Sequence, residues 1–196
     1  MYKIITIARE YGSGGRQIAQ KVAEKLQMIY YDNEIIDLAA MELGIDVAAI
    51  RNISEEKTSS FAYAFAPTPS TLPLNDQVYS MQSKIIRHIA THDSCIIVNI
   101  CADYILEDFD DVLRVFIHAP LDSKMKRVEK EYNEDYDDLK KYVIKREKKR
   151  SDYYNYYTTN KWGQYKNYDL CINSDLGIEE VADIIVSAFL KGDKNE

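Results

Sequence analysis

The sequence predicts an α/β fold of three layers, with five parallel strands in one sheet and helices covering both faces. Three observations carry that expectation. Five short runs, "KIITIA" (3–8), "MIYYD" (28–32), "CIIVNI" (95–100), "LRVFIHA" (113–119) and "DLCINS" (169–174), are nearly all-apolar rather than alternating, as strands buried on both faces are. Amphipathic segments separate them, and strand–helix–strand repetition gives a parallel sheet because each crossover must pack back onto a face. A glycine-rich turn, "GSGG" (12–15), joins the first strand to the first helix.

In the first helix Ile18, Val22 and Leu26 fall on one face, with Ala19 and Ala23 beside them. The second strand ends on Asp32, which can cap the next helix or orient an acceptor group, and the cap is favoured slightly. Residues 33–91 separate strands two and three by more than one crossover requires. They include "APTPSTLP" (66–73), whose prolines force an extended loop, and a helical pattern over 75–91 on Val78, Met81, Ile85, Ile86 and Ile89. Residues 120–168 form a second, charged and mostly helical excursion. A last helix carries Ile178, Val181, Ile184, Ile185 and Phe189. The expected organisation is one domain over 1–196, with core 1–32, 92–119 and 169–196 and insertions 33–91 and 120–168. Both insertions leave from strand ends and so cover the carboxyl edge, where open α/β sheets bind ligands.

Composition narrows the function. The chain has 196 residues, 46 % hydrophobic and 29 % charged, enough for a proper core. No apolar run approaches the roughly 18 residues of a membrane helix, and the N-terminus reaches charge too soon for a signal peptide. Cys95, Cys101 and Cys171 lack metal-ligand spacing and read as buried thiols in a reducing cytoplasm. His118 reads as structural, and His88 and His92 lack ligand spacing with carboxylates; no metal ligand is assigned. A net charge of −7 argues against a dedicated nucleic-acid binder. Yet "KKYVIKREKKR" (140–150) is locally basic. It is either a solvated helix face or a segment that closes over an anion.

The turn at 12–15 can hold phosphate. Backbone N–H groups at a helix start point at an anion, and Gly12, Gly14 and Gly15 allow close approach. Ser13 can add a hydroxyl. The standard loop, G-x-x-x-x-G-K-[ST], also supplies a lysine. Here its first glycine is missing, Gly15 stands at the lysine position, and Arg16 follows. One residue along a helix turns the side chain by about 100°, so Arg16 is not a simple stand-in, although a guanidinium grips phosphate bidentately. The phosphate-binding candidates are Gly12, Ser13, Gly14, Gly15, Arg16 and Gln17, with Arg146 from the basic run.

"ITIAREYGSGGRQIAQKVAEKL" (5–26) resembles the start of the cytidylate kinase-like family of P-loop proteins. The resemblance continues through "YYDNEII" (30–36), "CADYIL" (101–106), "LRVFIHAPL" (113–121), "YYNYYT" (153–158) and "WGQYKNYDLCINS" (162–174). It implies a nucleoside monophosphate kinase-like architecture, with an acceptor-shaping insertion after strand two and a helical lid after strand four. The implied reaction is phosphoryl transfer from ATP with Mg2+ to CMP or a related small acceptor, achieved by positioning and charge neutralisation. Arg16, Lys148 and Arg150 are then the expected catalytic cations, and Asp32, Asn99, Ile100 and Asp103 the acceptor side. Partners would be nucleotide substrates. The tyrosines of "YYNYY" are expected to pack the lid on the body. One departure stands out: the family's G-R-C-A-D-Y reads "NICADY" here, with Asn99 and Ile100 replacing glycine and arginine. Losing a charge-assisted contact typically costs ~1.5–3 kcal/mol. The acceptor then differs, another arginine (Arg9, Arg51 or Arg87) serves, or the protein is a catalytically impaired nucleotide-binding or regulatory relative.

Overall fold

The computed structural model describes residues 2–48, 72–132, 136 and 138–192. Its sheet contains β1 (Ile4–Arg9), β2 (Ile29–Tyr31), β3 (Cys95–Ile97), β4 (Val112–His118) and β5 (Leu170–Asn173), all parallel, in the order β2-β3-β1-β4-β5. The described helices are α1 (Gly15–Leu26), α2 (Asn33–Leu43), α3 (Leu74–His92), α4 (Ala102–Ile105), α5 (Leu121–Tyr132), α6 (Leu139–Tyr157) and α7 (Ile178–Lys191).

Alternation along the strands sorts the core into two layers. Ile5 and Ile7 of β1, with Leu113, Val115 and Ile117 of β4, face Ile18 and Val22 of α1 and Val181 and Ile185 of α7. Ile4, Cys95, Ile97 and Val112 face the other way, onto Ile35 of α2, Ile86 and Ile89 of α3, and Tyr153 and Tyr154 of α6. Every strand of the centre is therefore covered twice, which is why its sequence is continuously apolar. Tyr153 and Tyr154, with the partly buried Tyr157, do pack that helix on the body, and Tyr156 is exposed.

Two sequence expectations change. The third strand stops at Ile97 rather than 100, because Asn99 Oδ1 accepts the Cys101 N–H at 2.9 Å and turns the chain into α4. Cys171 is exposed, not buried like Cys95 and Cys101; β5 is an edge strand, with Ile172 buried in the core and Leu170 partly buried against it. The extended loop expected at 66–73 lies, apart from Leu72 and Pro73, outside the described residues. No described helix is long and apolar enough to cross a membrane.

Candidate active site

β1 delivers the chain into the glycine-rich turn at the carboxyl edge of the sheet. Gly12 and Gly14 have φ of 76° and 77°, the left-handed region that side chains disfavour. Gly14 is also the N-cap of α1, and no side chain caps that end, so the first-turn amides face the turn's mouth with the positive end of the helix dipole behind them. A cavity of about 350 Å³ opens over the turn, lined by residues 9–17, Arg127, Glu131 and Arg150.

Packing against α5 fixes this shape. Arg127 Nη1 donates to the Gly12 carbonyl oxygen at 2.6 Å. A Cβ at Gly12 would lie 2.9 Å from Val128 Cγ2 and 3.0 Å from the Lys124 carbonyl oxygen. Gly12→Ala is therefore expected to destabilise the protein by about 1–3 kcal/mol, from positive φ and from crowding. A thermal melt unchanged within a degree or two would count against this account of the turn.

A second cavity, about 260 Å³, lies beside the first and is lined by Arg9, Tyr11, Arg16, Asp32, Asn33, Ile36, Gln82, Val98, Asn99, Ile100, Arg146, Arg150 and Tyr153. The two cavities share Arg9, Tyr11, Arg16 and Arg150 as a common wall. Asp32 is the carboxylate at this wall among the described residues lining the second cavity. It takes the N-cap position of α2, yet its side chain makes no cap bond. It is instead ion-paired with Arg9 Nη2 at 3.3 Å and Arg16 Nε at 2.5 Å, and accepts from Tyr30 Oη at 3.1 Å. Burial and the Asp32 charge push the Tyr30 phenol up, so Tyr30 stays a donor. Burial and then Arg150 draw the Arg9 pKa down to about 10, against the pull of Asp32.

α6 lays two of its cations on this wall. The Arg146 and Arg150 guanidinium carbons sit 5.1 and 5.2 Å from the Tyr11 ring centroid. Arg150 Nη1 donates to the Arg9 carbonyl oxygen at 3.0 Å. Glu147 ties the same helix to the turn: its carboxylate accepts the Tyr11 N–H at 2.7 Å and Trp162 Nε1 at 2.6 Å. The basic run is thus neither purely solvated nor purely a cover. Its i, i+4 pair faces the cavities and most of its lysines face water.

The structure brings Gly12, Gly14, Gly15, Arg16, Gln17, Arg146, Arg150, Asp32, Asn99 and Ile100 to these two cavities and leaves out two expected residues. Lys148 is turned about 200° from Arg146 around α6. It pairs with Asp152 at 3.5 Å and lines a separate groove with Ile144 and Trp162. Asp103 is buried inside the body, 3 % exposed, and accepts from Tyr154 Oη at 2.7 Å. Ser13 lines the first cavity, but its hydroxyl donates to the Glu10 carbonyl oxygen at 2.9 Å. Of the alternative arginines, Arg87 is held bidentately by Asp108 at 2.7 Å, and Arg51 lies outside the described residues. Tyr11, Gln82 and Arg127 were not legible as site residues. Arg146 and Arg150 were expected from the basic run and the family resemblance, although Arg146 was expected at the glycine turn and lines the second cavity instead.

A parallel sheet in the order 2-3-1-4-5 with a glycine turn after β1 gives the chain the fold of P-loop kinases. The chain belongs to the cytidylate kinase-like family, whose model matches residues 4–176. It is 25 % identical over 182 residues to a cytidylate kinase of Methanosarcina barkeri, covering 85 % of this chain and 92 % of that protein. The crystal structure of an uncharacterized protein from Eubacterium ventriosum superposes with a TM-score of 0.69 at 27 % identity, covering 95 % of this chain and 97 % of the other. A shikimate kinase from Bacteroides thetaiotaomicron shares the fold, with a TM-score of 0.59 at 13 % identity over 94 % of this chain and 97 % of that one.

Proposed function

We propose that the protein transfers the γ-phosphoryl group of ATP to CMP or a related small phosphorylated acceptor. The observation that carries this reading is the pair of cavities meeting at a wall of Arg9, Arg16 and Arg150. Transfer needs two anionic groups held in line with cations between them, and little else from the protein. The glycine turn suits the donor's phosphates. Its cavity runs on along Gln17, Arg127 and Glu131 into a groove at Ser174–Ile178, which gives room for the rest of a nucleotide. The second cavity suits the acceptor, with Arg146 and Arg16 in its wall as cations facing a phosphate and Gln82 and Asn99 as polar groups.

Magnesium fits this arrangement. It commonly binds through substrate phosphates and one or two carboxylates while keeping several waters, and Asp32, which lines the second cavity, is the carboxylate that would serve. Bound there, the ion would neutralise charge on the phosphates. Arg9 and Arg16 meanwhile hold the Asp32 carboxylate in place.

Ile100 supports a second reading, a nucleotide-binding relative impaired in transfer, because it puts an apolar branch into the acceptor wall. ADP production from MgATP against a panel of ribo- and deoxyribonucleoside monophosphates separates the two. The kinase reading expects acceptor-dependent turnover by the native protein. A silent native protein whose Asn99→Gly/Ile100→Arg version phosphorylates CMP would establish the second reading. Silence from both would remove the kinase reading for these acceptors.

A further inference from the structure

In the standard phosphate loop, G-x-x-x-x-G-K-[ST], a glycine opens the pattern and a lysine follows the second glycine. With Gly14 as that second glycine, the opening position is Arg9 and the lysine position is Gly15. The two departures are reciprocal. A cation stands where the pattern has no side chain, and no side chain stands where the pattern has its cation.

The structure shows that these positions compete for one space. A Cβ at Gly15 would lie 2.7 Å from Arg9 Cβ and 3.2 Å from its Cγ and Cδ. Gly15 is absent from the residues of positive φ, so space and not conformation requires a glycine there. The Arg9 stem fills the volume that a lysine at 15 would leave by.

We propose that Arg9 supplies the positive charge that the lysine supplies in the standard loop, reaching bound phosphates from the end of β1 instead of the first turn of α1. This rests on the reading of the turn as a nucleotide phosphate site. The Arg9 side chain is 12 % exposed and lines both cavities, the place a transferred group must cross. Its 3.3 Å contact with Asp32 is longer than the roughly 2.7–2.9 Å of a strong charge-assisted bond. A guanidinium has five N–H donors, so most of them remain available to phosphate oxygens. Arg16 is more closely engaged with Asp32, and its Nη2 donates to Asn33 Oδ1 at 3.4 Å, on the β2 side. Burial beside Arg150 disfavours the charged Arg9 and is relieved by an anionic ligand.

The test is MgATP binding by calorimetry, with thermal melts, on the native protein and four variants. Arg9→Gln is expected to weaken binding about tenfold or more, and Arg16→Gln by less. Gly15→Lys alone is expected to lose stability, with Arg9 in its way. Arg9→Gly/Gly15→Lys, which exchanges the two positions, is expected to fold and to bind MgATP within about threefold of the native protein. A folded Arg9→Gln that binds like the native protein overturns the inference while leaving the site reading intact. So does an exchanged variant that fails to fold, or folds without binding. A native protein that does not bind MgATP overturns the site reading and this inference with it.

Discussion

Tyr154→Ala is expected to lower the melting temperature by about 10 °C. Tyr154 is fully buried, lies against Trp162 with ring centroids 5.4 Å apart, and donates to Asp103 at 2.7 Å. Emptying a buried aromatic site costs about 3–5 kcal/mol, and removing the hydroxyl donor from the Asp103 carboxyl adds about 1–3 kcal/mol. At about 2–4 °C per kcal/mol for a chain of this size, the effect is well above error. Tyr154→Phe isolates the hydroxyl and should produce the smaller part of the loss. The same Tyr154→Ala variant should also weaken MgATP binding, because Arg150 stands one turn away on the same helix. A melt shifted by less than about 3 °C would mean that α6 is not anchored as described.

Asp103→Asn is expected to stabilise the protein at neutral pH. Burial raises the Asp103 pKa to about 6, against the opposing pull of the Tyr154 hydroxyl and of N–H groups at the start of α4. The ordinary value is 3.8. Between about pH 4 and pH 6 the folded protein therefore keeps a proton that the unfolded chain has released. Stability falls as pH rises through that window and stays at its lower level above it. The interval from 3.8 to about 6 corresponds to about 3 kcal/mol. Asparagine removes the charge and still offers Tyr154 an acceptor. Melts from pH 4 to pH 8 should show the two proteins converging at the acid end and the variant melting about 6–12 °C higher at pH 7.5. Parallel curves would show that Asp103 does not titrate across this range.

These two residues also mark where the sequence stops being informative. The strands and covering helices were legible because burial on both faces leaves long apolar runs, and the glycine turn because its place between strand and helix limits its use. Asp103 reads as a polar residue near an acceptor site. That it lies inside the body depends on a tyrosine 51 positions away, and no local pattern announces such a pairing. Lys148 looks like its basic neighbours until the helical angle separates it from Arg146 and Arg150. Cys171 sits in an apolar run, but the run became an edge strand, and only the strand order reveals an edge. Arg9 was visible as a residue and invisible as a replacement, because its relation to Gly15 is one of shared volume.

The way α6 is held has a further consequence. Arg150 and Tyr153 are three residues apart, about 4.5 Å along one helix, so the guanidinium belongs to the same rigid piece as the buried ring. Arg146, one turn further out, is steadied by the Tyr11 face, and Glu147 pins the helix to the turn. The freedom these side chains give up is lost when the chain folds and not when a ligand arrives. Substrate binding is thus spared that entropic penalty, and affinity follows more directly from the contacts themselves.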